Sequence, residues 1–125
     1  MIIDNAENAV RIACEKTDSM IRDYTVAPVY FSGNEKAAHE WLIEFEKQPD
    51  DIINFAAKLD NALKHLNSDY EAKRYHDLAL RMPVIRILEP DTFYNWLKSK
   101  NKLGGQHKIP RLSNNRDYLE QLLSM

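Results

Sequence analysis

The stretch Leu103-Gly104-Gly105-Gln106-His107-Lys108-Ile109-Pro110-Arg111 concentrates residue types that bind anions. Glycines let backbone N–H groups approach an anion closely, lysine supplies a point charge, and arginine presents a planar fork of donors. The combination suits a phosphate or a carboxylate. The same residues also fit a surface turn with incidental basic side chains, and chemistry alone leaves both readings open.

Other polar residues offer less. Of the four histidines, His65 and His76 would align only on one continuous helix, which Asn67-Ser68 interrupts, and His39 falls on the apolar face of a strand without a second ligand nearby. No metal site is expected. The pair Asp50-Asp51 imitates an acid/base site, but acids in the first turn of a helix meet its dipole favourably, so capping is the expected role. Cys14 has no intramolecular disulfide partner and, beside Val10 and Ala13, reads as a small apolar side chain against a core. Tyr24, Trp41, Phe45, Phe55 and Trp96 are read as core aromatics.

A chain of 125 residues with 44% hydrophobic and 29% charged residues suits a single water-soluble domain over residues 1–125. No stretch approaches the ~18 consecutive apolar residues of a membrane span, and Met1-Ile2-Ile3-Asp4 lacks the regions of a signal peptide, so a cytoplasmic address and no membrane contact are expected. The net charge of −2 hides an asymmetry: residues 1–91 carry 11 basic and 17 acidic side chains, whereas 92–116 carry six basic and none acidic. A positive stripe of this kind suggests an anionic ligand or partner, and a solvated helix face produces it too. Lys98, Lys100, Lys102, Lys108, Arg111 and Arg116 would suit nucleic-acid phosphates, but no recognisable reader accompanies them and the pI is about 6.1. No nucleic-acid partner is expected.

Periodicity supplies the elements that must position the 103–111 stretch. Asp4 and Glu7 have capping-box spacing and predict a helix from about Asn5 to Thr17 with a stripe of Ala6, Ala9, Val10, Ala13 and Cys14. Met20 to Phe31 reads as a strand in which Arg22 breaks the alternation and Pro28 marks a disturbance. After a turn at Ser32-Gly33-Asn34-Glu35, His39, Trp41, Ile43 and Phe45 form the core face of a second strand, with Glu40, Leu42, Glu44 and Glu46 on a mostly wet face. The two strands should pair antiparallel. Pro49-Asp50-Asp51 opens a helix carrying Ile52, Phe55, Ala56, Leu59, Leu63 and Leu66, and a second capping box, Ser68 with Glu71, starts another through about Ala79. Val84 to Leu88 is a short strand, and Asp91 is the expected N-cap of a helix from Thr92 to Lys100. Lys102 to Leu112 is a loop, and Asn114 or Asn115 caps a last helix packing Tyr118, Leu119, Leu122 and Leu123. The fold class is therefore α+β: a three-stranded, largely antiparallel sheet with packed helices in the order α-β-β-α-α-β-α-α.

Over nearly the whole chain these residues resemble the carboxy-terminal domain of the Gretchen Hagen auxin-responsive family, the acyl-acid amido synthetases of the adenylate-forming superfamily. Asp91-Thr92-Phe93, a helix, and Gln106-His107-Lys108-Ile109-Pro110-Arg111 look like the family's G-T-F, helix and Q-Y-K-[VT]-P-R sequence. Asp4-Asn5-Ala6-Glu7 and the pair Tyr70 and Arg74 also match. Leu66-Asn67-Ser68-Asp69-Tyr70 and Lys102-Leu103-Gly104-Gly105-Gln106 look closer to the bacterial branch. The chain departs from the plant-like pattern at Asp91, where a glycine is usual, and at His107, where a tyrosine is.

The resemblance implies a carboxy-terminal lid belonging to a larger enzyme. That enzyme would use ATP with Mg2+ to activate a carboxylic acid as an acyl-adenylate, and an amine or amino acid would then form the amide. It implies Lys108 as the catalytic side chain near carboxylate or phosphate oxygens, with Gly104, Gly105, Gln106, His107 and Arg111 in a loop contacting substrate or nucleotide. Arg111 would bind phosphate or anchor the turn to an acidic side chain. The partner would be the large N-terminal domain of the same synthetase, whose nucleotide loop, adenine pocket and acyl-binding segment have no counterpart in this sequence, so the chain alone should not catalyse. A non-catalytic protein-interaction or nucleotide-sensing domain is the alternative.

Overall fold

A computed structural model describes residues 3–30, 37–75, 79–99, 111–113 and 116–124. Among these, the order is α1 (Ile3–Thr17), β1 (Met20–Tyr30), β2 (Ala37–Lys47), α2 (Ile52–Leu66), α3 (Ser68–Arg74), β3 (Val84–Ile87), α4 (Thr92–Ser99) and α5 (Asp117–Leu123). The α+β class and the element order agree with those read from the sequence. The sheet order is β1-β2-β3. The long β1–β2 pair is antiparallel and the short β2–β3 pair is parallel, its crossover supplied by α2 and α3.

Helices cover both faces of the sheet. On one face, the small residues Ala6, Ala9 and Ala13 let α1 approach closely, and Phe55, Leu59 and Leu63 of α2 pack with Tyr24, Val26, Trp41 and Ile43. On the other, Phe93 and Trp96 of α4 and Leu119 and Leu122 of α5 close over Ala27 and Leu42. Each large side chain so buried contributes about 1.5–3 kcal/mol.

This second layer overturns the expectation of a wet face on β2. Glu40, Leu42 and Glu44 are 2%, 0% and 1% exposed. Two of the three are carboxylates, so alternation pointed to water, while α4 and α5, far along the chain, cover the face and supply partners. Glu44 accepts the Asp91 and Phe93 backbone N–H groups at 3.1 Å each, satisfying free donors at the start of α4. Glu40 is paired with Arg116 Nη1 at 2.8 Å and with Arg86.

Three local expectations change accordingly. Asp91 does not cap α4 with its side chain: its carboxylate accepts from Arg22 at 3.1 Å, and its backbone sits at φ 69, the left-handed region. A glycine would be free of the Cβ cost there. Glu7 does not close a capping box, because Tyr24 and Arg111 occupy its carboxylate. The cap of α3 is Asn67, one residue before Ser68, accepting from the Tyr70 N–H at 2.9 Å, and the helix ends at Arg74 rather than near Ala79. The position of Pro28 agrees with the sequence reading: β1 is an edge strand, where a missing N–H is tolerated, and it runs on through Pro28, which pairs with His39 of β2.

The expected capping at the start of α2 and the break in alternation at Arg22 both hold. Asp51 is the N-cap of α2, its side chain accepting from the Ile53 N–H at 2.9 Å. Arg22 is the extra residue where Ile21 and Asp23 face the adjacent Phe45 and Glu44, a β-bulge. Helix α1 ends with Asp18 at φ 52 and the Ser19 N–H bonded to the Cys14 carbonyl at 3.1 Å, a Schellman closure. The turn at 32–35 and the caps at Asn114 or Asn115 lie outside the described residues. No helix among the described residues is long and apolar enough to cross a membrane.

Candidate functional site

Of the residues singled out for chemistry, Gly104, Gly105, Gln106, His107 and Lys108 lie outside the described residues; Arg111 lies within them. The segment carrying it is held to the outer edge of β1. The Val26 N–H donates to the Arg111 carbonyl at 2.8 Å and the Ser113 N–H to the Val26 carbonyl at 3.0 Å, making a one-rung parallel bridge between Val26 and Leu112. The end of the aperiodic 102–112 stretch is therefore a strand-like contact, which the lack of any period concealed.

The Arg111 side chain reaches two other elements. Its Nη1 donates to Glu7 Oε1 of α1 at 2.7 Å, and its Nη2 lies 3.5 Å from Asp23 Oδ1 of β1. The guanidinium carbon stands 4.9 Å from the centre of the Tyr24 ring, a cation–π contact. Tyr24 Oη in turn donates to the same Glu7 oxygen at 2.9 Å. Below the cluster, Tyr24 stacks on the fully buried Trp41 with ring centres 5.6 Å apart, so the phenol is held from behind by the core.

The electrostatics follow from this packing. Burial works to raise the Glu7 carboxyl, but hydrogen bonds from Arg111 and Tyr24 and the guanidinium charge outweigh it and hold it below the ordinary carboxylate range. Burial and the neighbouring Glu7 push the Tyr24 phenol well up, so it stays a donor. An open cleft of about 360 Å³ adjoins the cluster, lined by Glu7, Val10, Cys14, Ile21, Tyr24 and Arg111. Cys14 there is half-buried with its thiol raised by desolvation, the behaviour of a packing residue.

Both arginines of the positive stripe are thus engaged by acidic side chains of the protein itself. Arg111 faces Glu7 and Asp23, and Arg116 forms ion pairs with Glu40 and Glu120, both at 2.8 Å, and donates to the Pro28 carbonyl at 3.0 Å. A second polar cluster lies under α3. Asp60, 2% exposed, accepts from Tyr70 Oη at 2.6 Å and from Arg74 Nε and Nη2 at 2.8 and 2.9 Å, with Lys64 Nζ 3.3 Å away. Tyr70 and Arg74 stood out as a pair in the sequence. Their acceptor did not, because a single Asp inside an amphipathic helix looks like any solvated residue until its face is known. Glu7 was missed for the opposite reason, its helix-start spacing offering a sufficient local explanation. Among the described residues, no group of three or more His, Cys, Asp or Glu side chains is placed to hold a metal ion.

A model of the GH3 family C-terminal domain matches residues 4–117. Among solved structures, the chain is similar to the AtGH3.15 acyl acid amido synthetase in complex with 2,4-DB, with a TM-score of 0.72 and 20% identity over 97% of this chain and 23% of that one. It is similar also to a GH3.15 acyl acid amido synthetase structure, with a TM-score of 0.73 and 21% identity over 97% of this chain and 22% of that one. The chain thus spans under a quarter of the length of these two structures, and at such identities the likeness is one of fold. Comparison with curated proteins found no match.

Proposed function

The chain belongs to the GH3 family as its C-terminal domain, and from that premise we propose that it is the lid of an ATP-dependent acyl acid amido synthetase. The observation that carries this reading is the family match over residues 4–117, nearly the whole chain. The likeness in fold to about a quarter of each of two such synthetases supports it. Residues 1–125 would be one domain working with a large N-terminal domain that binds the nucleotide and the acid. In the reaction proposed, a carboxylate oxygen attacks the α-phosphorus of ATP, pyrophosphate leaves, and an amine then attacks the acyl carbon and displaces AMP to form the amide. Mg2+ would accompany the ATP in the large domain.

Within this reading Lys108 places its ammonium beside the carboxylate and phosphate oxygens as charge develops on them, an electrostatic role of the oxyanion-hole kind. Gly104 and Gly105 permit backbone approach, and Gln106 and His107 position the loop. Arg111 serves as the anchor of that loop, since its donors already face Glu7 and Asp23. Closing the domain over an acyl-adenylate would exclude the water that hydrolyses it.

The test joins this chain to its cognate large domain and measures acid-dependent ATP–pyrophosphate exchange. Lys108→Ala should lower exchange by about 10²-fold or more, as loss of one preorganised charge does elsewhere. Unchanged exchange in the variant would remove Lys108 from adenylation.

A further inference from the structure

The geometry points to a binding site for a flat, single-ring organic monoanion between α3 and the Pro28–His39 end of the sheet, with Lys73 and His39 receiving its charged group. The site shares no lining residue with the cleft beside Arg111 and does not depend on the reading of the chain as a lid. A cavity of about 290 Å³ lies there. Ligand pockets start near that size, at roughly 300 Å³, so the occupant is small. Pro28 of β1, Ala38 and His39 of β2, Tyr70 of α3 and Leu80, beside the bridge to Ala37, make its walls. Two of these walls are locked from behind by the buried Asp60 carboxylate. It accepts from Tyr70 Oη at 2.6 Å and holds Arg74, whose Nη1 donates to the Leu80 carbonyl at 3.1 Å. The cavity is therefore built before any ligand arrives.

The polar groups on its surface select the ligand's chemistry. With the Tyr70 hydroxyl engaged by Asp60, that side chain offers mainly the face of its ring, which lies against the His39 ring with centres 6.0 Å apart. His39 Nδ1 is buried and has no hydrogen-bond partner among the described residues. A neutral imidazole can carry its proton on Nδ1, and an acceptor oxygen selects that tautomer. Lys73 and Asp69 form the charged rim, 3.0 Å apart with side chains 56% and 67% exposed. Such an exposed pair is weak, so a ligand can recruit the ammonium at little cost. Of the two rim charges, that of Lys73 acts on His39, where it adds to burial in lowering the imidazole pKa. The potential at the buried nitrogen thus favours an anion over a cation. A phosphate would carry a larger charge against mainly apolar walls, which disfavours it. A monoanion with an apolar ring satisfies Lys73, His39 and the walls together.

The experiment titrates the 125-residue chain at neutral pH with benzoate, following heat by calorimetry and the His39 imidazole by nitrogen NMR. Saturable binding with a Kd of about 1 mM or tighter is expected, with the Nδ1 resonance shifting toward that of a protonated, hydrogen-bonded nitrogen. Benzamide, which keeps the ring without the charge, and acetate, which keeps the charge without the ring, should each bind at least about tenfold more weakly, and benzylamine weaker still. Lys73→Met keeps the aliphatic stem and removes the ammonium; His39→Phe keeps a ring beside Tyr70 and removes the nitrogen. Each should raise the Kd for benzoate about tenfold. Lys73→Met alters an exposed side chain and decides the question if His39→Phe fails to fold. Absence of saturation at about 10 mM benzoate, benzylamine binding as tightly as benzoate, or an unchanged Kd in either folded variant overturns the inference.

Discussion

Replacing Asp60 by asparagine tests the buried cluster under α3. The carboxylate is 3% exposed and Arg74 is 6% exposed, with the two-pronged contact at 2.8 and 2.9 Å. Burial works to raise the Asp60 carboxyl, yet the bonds from Arg74 and Tyr70 and the charges of Arg74 and Lys64 hold it below the ordinary range, so it is charged at neutral pH. Asparagine removes that charge and leaves the guanidinium buried beside a neutral amide that can accept through one oxygen only. Removing one partner of a buried pair costs about 3–5 kcal/mol, and the retained hydrogen bond places this variant near 3. For a domain of this size that is a fall in Tm of roughly 10 °C or more. Urea unfolding followed by circular dichroism should show a lower midpoint with an unchanged m-value. The triple variant Asp60→Leu, Tyr70→Phe and Arg74→Met, which removes the polar groups together, should recover most of the loss. A cost for Asp60→Asn below about 1 kcal/mol would refute the reasoning, since it would mean that water already screens the cluster.

Two further measurements probe other features of the fold. Asp91→Gly should stabilise the protein by about 0.5–1 kcal/mol, since it relieves a left-handed backbone at φ 69 and gives up only an exposed pair with Arg22 at 3.1 Å; a lower Tm would show that the pair or the chain entropy outweighs the strain. His39 Nδ1 is buried without a hydrogen-bond partner among the described residues, and burial, with the charge of Lys73 acting in the same direction, lowers its pKa from 6.5 to about 4. The unfolded chain therefore binds a proton that the folded one refuses, so a contribution of up to about 3 kcal/mol is complete above pH 6.5 and is lost as the pH falls toward 4. Histidine NMR titration should place the folded midpoint near 4, and His39→Phe should flatten the stability profile in that window; a midpoint near 6.5 would dismiss the argument.

What the amino-acid order determines alone is the periodic part of this protein. The α2 stripe of Phe55, Leu59 and Leu63, the Asp51 cap, the extra Arg22 that becomes a bulge and the core alternation of Trp41 and Ile43 are local patterns, each set by the geometry of its own element. The family likeness was legible too, from Thr92-Phe93 and the 106–111 stretch. Tertiary structure decided where the charged residues of those same elements go. Glu40 and Glu44 read as solvent-facing until α4 and α5 close over them, and Asp60 until Arg74 arrives from fourteen residues away. Glu7 and Arg111, 104 residues apart, became partners only when the segment after the glycine-rich stretch docked on the edge of β1. An apolar side chain has its side of the element chosen by period. A charged one takes its place from whichever partner lowers its desolvation cost, and no local pattern encodes that partner.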